Sequence, residues 1–286
     1  METEKYSVLL EALSSGSLSA AAEKLGYTPS GVSRMLAALE TETGFPLLRR
    51  GRRGVTPTAE CERLLPQLRR LVQAAEQVRQ QSAAIRGLEE GSLTIGSSYG
   101  SYYRDLAALA AGFCREHPGI QVSLLGGTST ELARAMEEGR ADLCVISRRE
   151  GDFDWLPLRQ DRLVAVLPPS HPCAGDAAYP LKRFALDPFI EIRPDAETDN
   201  SRIFRRCGVT PNVRYRCADD YAAVSMAEAG LGVTLVNGIL LEGRESRTAV
   251  LPLSPEQTVE IGVAIPSLDA ASPAARRFLS HVRARL

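Results

Sequence analysis

The chain has 286 residues, of which 44% are hydrophobic and 24% charged, and both fractions are ordinary for a folded globular protein. This length corresponds to about two domains of ~100–200 residues, and the composition excludes disordered and collagen-like classes. No apolar run approaches the ~18 residues of a membrane span, and the first residues, METEK, lack the basic-then-apolar order of a signal peptide. We therefore expect a cytoplasmic protein that makes no membrane contact. The formal net charge of −1 would by itself argue against a nucleic-acid partner.

The charge is unevenly distributed along the chain. Residues 1–86 carry 12 basic and 9 acidic side chains, a formal charge of +3, whereas the rest of the chain carries 22 and 26, a charge of −4. Four of the basic residues lie within five positions: Arg49, Arg50, Arg52 and Arg53. Such a cluster is typical either of a phosphate-binding loop or of a solvated surface loop. The residues that precede it favour the first interpretation.

The N-terminal segment has the pattern of a helix-turn-helix. A first helix is indicated by an apolar stripe at Tyr6, Leu9, Leu10 and Leu13. We expect Ser19 to cap a short second helix that ends at Gly26, and Thr28 to cap a third helix that has Pro29 at its first position. Two short helices joined by a three-residue, glycine-containing turn form the DNA-binding helix-turn-helix.

The third helix is the expected DNA-reading element, because its N-terminal end would lie in the major groove. Around it, and in a wing that would hold phosphates, the candidate DNA-binding residues are Ser19, Thr28, Pro29, Ser30, Gly31, Ser33, Arg34, Arg49, Arg50, Arg52 and Arg53. Arg34 is suited to bidentate pairing with guanine. The alternative is an ordinary helical hairpin with a serine-rich surface.

Two stretches of this segment resemble the LysR-type transcriptional regulators. The first comprises residues 15–25 (SGSLSAAAEKL), residues 28–34 (TPSGVSR) and Leu39-Glu40; the second runs from GFPLLRR at 44–50 to VTPT at 55–58. Pro29 departs from the family pattern, in which many members carry glutamine, so no operator sequence is carried over. The resemblance implies a winged helix-turn-helix, a dimerising linker helix and a two-lobed effector domain similar to periplasmic binding proteins.

The resemblance also implies the partners. They are double-stranded DNA with a dyad-symmetric operator, a small-molecule effector, a second copy of the chain in a homodimer or homotetramer, and RNA polymerase. No cofactor is expected.

A single long helix is predicted from Thr58 to Arg86. Its apolar positions fall alternately four and three residues apart, as in a coiled-coil seam: Leu64, Leu68, Leu71, Ala75, Val78, Ser82 and Ile85. Beside a DNA-reading motif, such a seam favours a dimer, although a helix packed on its own domain has the same pattern. Pro66 predicts a local kink, and Gly87 to Gly91 is typical of a hinge.

The remaining two hundred residues have an α/β pattern, for which we expect mostly parallel sheets with helices on both faces. The predicted strands are 93–96, 121–125, 143–146, 163–167, 189–192, 213–216, 233–236 and 259–265, and Pro168-Pro169 is expected to cross to a second lobe. Fragments such as EHPGI (116–120) and EGRADL (138–143) resemble the LysR effector domain. The expected domains are 1–58 for DNA binding, 59–90 for the linker helix and hinge, and 91–286 for effector binding, with lobe I at about 91–165 and 266–286 and lobe II at about 166–265.

Ligands of such sheets bind beyond the carboxyl ends of the strands. Short polar side chains stand at these positions, many of them before a helix, where free N–H groups suit an anion. The candidate effector-binding residues are Ser97, Ser98, Tyr99, Thr128, Ser129, Ser147, Thr198, Asp199 and Tyr221. Helix capping alone would also explain these residue types.

Three further patterns define the alternatives to a regulator. Gly96 to Gly100 fits G-x-S-x-G, with His281 downstream, which would suit an α/β enzyme. Six cysteines without a C-x-x-C leave open a thiol-based redox regulator, in which Cys207 and Cys217 would pair. His117, His171 and His281 stand alone, so we expect no metal site. An enzyme or a solute-binding protein with an incidental helical N-terminus remains the rival class.

Overall fold

The structure is a computed structural model that describes residues 3–51, 54–86, 90–243, 247–269 and 271–284. The helices are α1 (Glu4–Ser15), α2 (Leu18–Leu25), α3 (Pro29–Thr43), α4 (Ala59–Ile85), α5 (Tyr103–Glu116), α6 (Ser129–Glu137), α7 (Asp199–Cys207), α8 (Asp220–Glu228) and α9 (Pro273–Arg283). The strands are β1 (Leu48–Gly51), β2 (Gly54–Pro57), β3 (Gly91–Ser97), β4 (Ile120–Gly126), β5 (Leu143–Ser147), β6 (Asp154–Leu167), β7 (Tyr179–Pro180), β8 (Phe189–Ile192), β9 (Val213–Cys217), β10 (Thr234–Asn237), β11 (Ala249–Ser254) and β12 (Thr258–Ile265). No helix within these ranges is both long and apolar enough to cross a bilayer.

The helices α1 to α3 and the hairpin β1–β2 form an N-terminal head. Its core is a single buried cluster that includes Val8, Leu9, Val32, Leu36 and Leu39. The hairpin is the wing predicted from the sequence, and Arg49 and Arg50 lie exposed on its first strand. The other two wing arginines, Arg52 and Arg53, lie outside the described residues.

The helix-turn-helix of the head is confirmed, with one correction. Thr28 caps α3 by accepting a hydrogen bond from the Gly31 N–H at 3.1 Å, and Pro29 is the first helical residue. The cap of α2, however, is Ser17, whose side chain accepts from the Ala20 N–H, and Ser19 lies inside the helix. Both serines suit a cap by residue type, and the extended backbone of the earlier one decides the position.

The wing is held against the helices by side-chain and backbone contacts. Glu40 of α3 accepts hydrogen bonds from the N–H groups of Leu47 (2.7 Å) and Leu48 (3.1 Å). The Val55 N–H donates to the carbonyl of Gly16, ahead of α2, at 2.9 Å. These contacts hold the start of β1 and the middle of β2 in fixed positions relative to the motif.

The long helix α4 begins at the Thr58 cap and continues through Pro66. The predicted seam is divided between two environments. Leu64 and Leu68 pack against the core of the head, whereas Leu71, Val78 and Ile85 are 42%, 61% and 78% exposed. These three residues, spaced by seven, form what we call the exposed stripe of α4. Of the expected hinge, residues 87–89 lie outside the described part of the chain, and Gly91 already belongs to β3.

The C-terminal part consists of two α/β lobes. In the first lobe the strand order is β4-β3-β5-β12-β6, with α5 and α9 on one face of the sheet and α6 on the other. In the second lobe β6 continues between β10 and β11, and β8 and β9 form a parallel pair joined to β10 by the Phe189–Val233 bridge. Each lobe therefore has its own buried core on both faces of its sheet.

The crossing between lobes differs from the prediction. The first half of β6 pairs with β12 and its second half, from Leu163, pairs with β10 and β11, so the chain crosses inside the strand and not at Pro168-Pro169. These crossing strands are antiparallel, so the expectation of mostly parallel sheets is wrong for them and holds for β3–β4, β3–β5 and β8–β9. Continuous hydrogen bonding through β6 removes the need for a separate linker at this crossing.

The helix α4 also lies against the first lobe. Arg69 of α4 forms an ion pair with Glu138, the C-terminal cap of α6, at 2.9 Å. Arg70 donates to the carbonyl of Glu137 at 2.7 Å, and Gln80 donates to the carbonyl of Ser92 at 3.2 Å. The linker helix is thus attached to the end of α6 and to the start of β3.

Candidate functional site

A polar cavity of about 70 Å³ lies between the two lobes. Its walls are the segments that follow β3, β5, β8 and β10 and the first residues of α6, α7 and α8. This is where parallel sheets bind ligands, because the carboxyl ends of their strands and the N-termini of the following helices meet there.

The first lobe lines the cavity with hydroxyl groups. The hydroxyl of Ser129, at the first position of α6, lies 2.9 Å from Ser98 Oγ and 3.0 Å from Ser147 Oγ. Ser97 is buried and its hydroxyl donates to the carbonyl of Tyr99, which positions that residue in the cavity wall. Thr128 caps α6 and forms a capping box with Glu131.

The second lobe inserts a carboxylate into this wall. Asp199, the first residue of α7 after the Thr198 cap, has a side chain that is only 10% exposed. Its Oδ1 accepts from Ser147 Oγ at 2.6 Å and from Arg149 Nη2 at 2.8 Å, and its Oδ2 accepts from the Tyr99 hydroxyl at 3.0 Å. A carboxylate of one lobe is thus bound by three donors of the other.

Burial and nearby charges determine the protonation and the hydrogen bonding of the groups around Asp199. Arg149 is 7% exposed, and it also donates from Nε to Thr130 Oγ1 at 3.0 Å. Burial, together with the nearby Asp199 carboxylate, raises the pKa of Tyr99 far above its ordinary value, so this phenol stays protonated and remains a donor. The site therefore presents one cation and neutral donors, all aimed at a carboxylate.

Two further charged residues, Arg193 and Asp220, line the cavity. Arg193 follows β8 and has φ of +50°, a left-handed conformation that is uncommon for a residue with a side chain. Asp220 begins α8, and burial raises the pKa of its carboxyl although the nearby Arg193 lowers it. The formal charges of the cavity are therefore balanced between two arginines and two aspartates.

The cavity brings together most of the residues predicted from the sequence. Its lining includes Ser98, Tyr99, Thr128, Ser129, Thr198 and Asp199. Ser97 and Ser147 lie behind this lining and hold it by hydrogen bonds. Tyr221 does not line the cavity and is 68% exposed. Because α8 begins at Asp220, that residue turns inward and its neighbour turns about 100° away.

Sequence reasoning missed Arg149, Arg193 and Asn237 as lining residues. For Arg149 a signal was present: it lies two residues after Ser147, and residues two apart along an extended segment share a face. The intervening Arg148 points outward and lies over the ring of Trp155 at 5.7 Å.

The head presents the expected reading surface. Ser30 and Arg34 are exposed on α3, and Ser33 is half-buried. A side chain at Gly31 would lie 3.1 Å from Thr28 Oγ1, so glycine keeps the capped first turn of α3 uncrowded. Ser19 is exposed on α2.

Two family models together match nearly the whole chain. Residues 4–62 match "Bacterial regulatory helix-turn-helix protein, lysR family", and residues 86–286 match "LysR substrate binding domain". The chain belongs to the LysR family of transcriptional regulators. Relatives in this family include the HTH-type regulator YvbU of Bacillus subtilis, which is 27% identical over 99% of this chain and 98% of its own length. The probable regulator LrrA of Synechococcus elongatus is 29% identical over 90% of this chain and 84% of its own length.

Solved structures of LysR-family proteins share the fold. Full-length OxyR from Pseudomonas aeruginosa matches 99% of this chain and 93% of its own, with a TM-score of 0.71 at 18% identity. CbnR, described as a LysR family transcriptional regulator, matches 99% of both chains with a TM-score of 0.63 at 22% identity. The winged head, the linker helix and the two-lobed domain of this chain therefore form the family fold.

The patterns that suggested other functions have structural explanations in this LysR-family chain. Ser98 of the G-x-S-x-G sequence bonds to Ser129, whereas His281 packs between Phe113 and Phe278 and bonds to Glu116. None of the described residues that line the cavity is a histidine. Within the described ranges no group of three potential metal ligands occurs.

The cysteines are free thiols. Burial raises the pKa of Cys61 to about 11 and that of Cys144 to about 12. Burial likewise raises the pKa of Cys217, whose thiol bonds to the carbonyl oxygens of Glu191 and Asp219. Raised pKa values reduce the thiolate that oxidants attack.

Proposed function

We propose that this LysR-type regulator binds its effector in the cavity between the two lobes. The observation that carries the proposal is the buried donor set around Arg149, formed where helix N-termini of both lobes meet. Such a site accepts a small polar molecule and excludes a large apolar one. The proposed contacts expected from the sequence are Ser98, Tyr99, Thr128, Ser129, Thr198 and Asp199. Further proposed contacts, which also line the cavity, are Arg149, Arg193, Asn200, Asp220 and Asn237.

We further propose how the chain reads DNA. The exposed N-terminal end of α3 enters the major groove with Ser30, Ser33 and Arg34, and the wing arginines contact phosphates. Ser19, Thr28, Pro29 and Gly31 complete the expected contact surface. The chain acts in the compartment that holds its DNA, the bacterial cytoplasm.

Two chains pair through the exposed stripe of α4, so that two heads face a dyad-symmetric operator. The proposed domains are 1–58, 59–90 and 91–286. Because β12 pairs with β5, we assign it and the first half of β6 to the first lobe. Effector binding changes the arrangement of the heads and thereby the recruitment of RNA polymerase.

The DNA part is tested by footprinting the full chain on the region upstream of its own gene. We expect protection of a dyad-symmetric site, with affinity that falls about 10³–10⁵-fold between 50 and 200 mM salt if 6–10 phosphates are contacted. Equal affinity for this region and for scrambled DNA would contradict the proposal.

The effector part is tested by a thermal-shift screen of polar metabolites on the full chain. A ligand that binds the folded state at 100 times its Kd stabilises it by about 2.7 kcal/mol. We expect Ser129→Ala and Arg149→Met to reduce the shift. A shift that both variants retain in full would place the ligand outside the cavity.

We infer no catalytic role for the cavity. Ser98 has a serine as its partner and no imidazole to take its proton, so the nucleophile of a hydrolase is not assembled. A serine-reactive phosphonate should leave Ser98 unlabelled in a mass-spectrometric digest, and labelling would favour the α/β enzyme.

A further inference from the structure

The Asp199 carboxylate is bound like a ligand. It accepts hydrogen bonds from Tyr99, Ser147 and Arg149, all of which belong to the first lobe. Asp199 itself belongs to the second lobe, at the first position of α7. We call the three donors the carboxylate receptor.

The charged groups of the receptor are largely buried. Arg149 is 7% exposed and Asp199 10% exposed, so the charge of each is compensated chiefly by the other. Within the described residues, the buried hydroxyl of Ser101 in the same cavity has no hydrogen-bond partner. The site thus combines an occupied anion position with unused hydrogen-bonding capacity beside it.

The charged side chains of the cavity determine which ligands can bind there. With Asp199 in place, Arg149 has its counter-ion, and the other arginine of the cavity, Arg193, lies 4.0 Å from the Glu131 carboxylate and close to the Asp220 carboxylate. A second anion added to this arrangement would meet two carboxylates in a poorly solvated space, which is unfavourable. The favourable position for an anion in this cavity is therefore the one that the Asp199 carboxylate occupies.

We propose that Asp199 and the anionic group of the effector compete for the carboxylate receptor, so the effector is a small molecule that carries a carboxylate or phosphate group. The inference rests on the proposed function of the cavity and extends it to the chemical class of the ligand. In this exchange, the hydrogen bonds that Tyr99, Ser147 and Arg149 donate to Asp199 of the second lobe are replaced by hydrogen bonds to the effector. The exchange thereby breaks three hydrogen bonds that join the lobes. The effector therefore binds more tightly to the arrangement in which these bonds are broken than to the arrangement in which they are formed.

An internal competitor lowers the apparent affinity for the effector, because only the fraction of molecules with a free receptor can bind it. Removing the Asp199 carboxylate should therefore raise affinity for simple anions. The test uses the full chain and two probes, sodium acetate for the carboxylate class and inorganic phosphate for the phosphate class, at ionic strength held constant with sodium chloride.

Binding is followed by thermal melting and by the emission of Trp155, the only tryptophan of the chain. Its ring lies under Arg148, the neighbour of the receptor arginine. We expect Asp199→Ala to bind at least one probe saturably, with an apparent Kd at least tenfold below that of the unsubstituted protein. The probe that saturates identifies the class.

The matched control is Asp220→Ala, which removes the same charge from the same cavity and leaves Arg149 paired. Its gain in affinity should be much smaller than that of Asp199→Ala. Equal gains in affinity in the two variants would mean that the anion is attracted by the loss of any negative charge and not by a vacated receptor. This result would contradict the proposal.

Two further variants keep the result decisive. Arg149→Met in the Asp199→Ala background should abolish saturable binding, and retained binding would overturn the proposal. Asp199→Asn keeps the size of the side chain and removes its charge, so it should also gain affinity if the alanine variant does not fold. Metabolite screening could instead identify a neutral effector that leaves the Arg149–Asp199 ion pair intact. This result would refute the proposed competition with Asp199, but the cavity would still be the effector site.

Discussion

At the scale of single residues, the head separates two kinds of arginine. Arg34 is exposed on α3, behind its capped first turn, and Arg50 is exposed on the first strand of the wing. A guanidinium in the groove reads a base, whereas one on the wing contacts the phosphate backbone. The two residues should therefore affect DNA binding in different ways.

We predict that Arg34→Ala weakens binding to the operator by about 1–3 kcal/mol and relaxes selectivity at one base pair. Arg50→Ala should weaken binding to all duplexes alike and reduce the salt dependence. Titrations with operator and scrambled duplexes at two salt concentrations measure both effects.

The control for these variants is Arg104→Ala, at a position on α5 that is 92% exposed and remote from the head. It makes the same change in charge and should leave both titrations unaltered. An equal loss on both duplexes in Arg34→Ala would contradict its role in reading bases.

Residue chemistry explains what the sequence could predict of the cavity. The caps Thr128 and Thr198 follow from local rules, since a threonine before a helix satisfies free N–H groups whatever the tertiary structure. The pairing of Asp199 with Arg149 could not be derived in this way. It joins residues fifty positions apart, from different lobes, and depends on how the lobes meet.

At the scale of elements, α6 is held at its C-terminal end by a cluster of charges. Glu138 is 6% exposed and bonds to Arg69 of α4 and to Arg134 and Arg140 near it. Burial would raise the pKa of this carboxyl, but the arginines outweigh burial and hold the pKa below its ordinary value of 4.5.

This lowered pKa predicts a pH dependence of stability. The charged form of Glu138 is favoured in the folded state, so its contribution is complete above pH 4.5 and is lost as the pH falls through the lower folded-state pKa. We expect Glu138→Gln to reduce the free energy of unfolding by about 1–2 kcal/mol at pH 7, since the arginines are partly exposed and screened.

Urea unfolding of both proteins at pH 7 and at successively lower pH values measures this difference. It should shrink in acid as the carboxyl of the unsubstituted protein is protonated. A difference that stays constant down to pH 3 would show that the charge of Glu138 is not what stabilises the contact.

The elements themselves were largely predictable, because hydrophobic period and capping residues are local signals. The course of β6 was not. Its first half is exposed or half-exposed and contains Pro157, so it lacks the pattern of a strand, and pairing with β12 makes it one. The strand β11 was missed for the related reason that Pro252 lies within it, since proline cannot donate a hydrogen bond to a neighbouring strand and argues against a strand assignment.

At the scale of the whole molecule, the exposed stripe of α4 is the observation behind the proposed pairing of two chains. Leu71, Val78 and Ile85 lie at a spacing of seven and are exposed in the single chain. Large exposed apolar residues in such a row are typical of a helix–helix interface.

We predict that Val78→Glu weakens the dimer by at least about 3 kcal/mol, more than a hundredfold in Kd, because it buries a carboxylate without a partner. Val78→Ile keeps the seam apolar and should leave the dimer intact. Sedimentation at several concentrations measures the change, and a Val78→Glu protein that remains dimeric would place the interface elsewhere.

The position of α6 has a mechanical consequence. This helix of nine residues is about 13 Å long. Its first residue, Ser129, touches the receptor for the carboxylate, and its terminal cap, Glu138, holds the helix that carries the DNA-reading head. Because the backbone hydrogen bonds of a helix keep its length constant, we expect a displacement of Ser129 to move Glu138 and its contact with Arg69 as well. The proposed effector site and the attachment of the linker helix are thus separated by the length of one short helix.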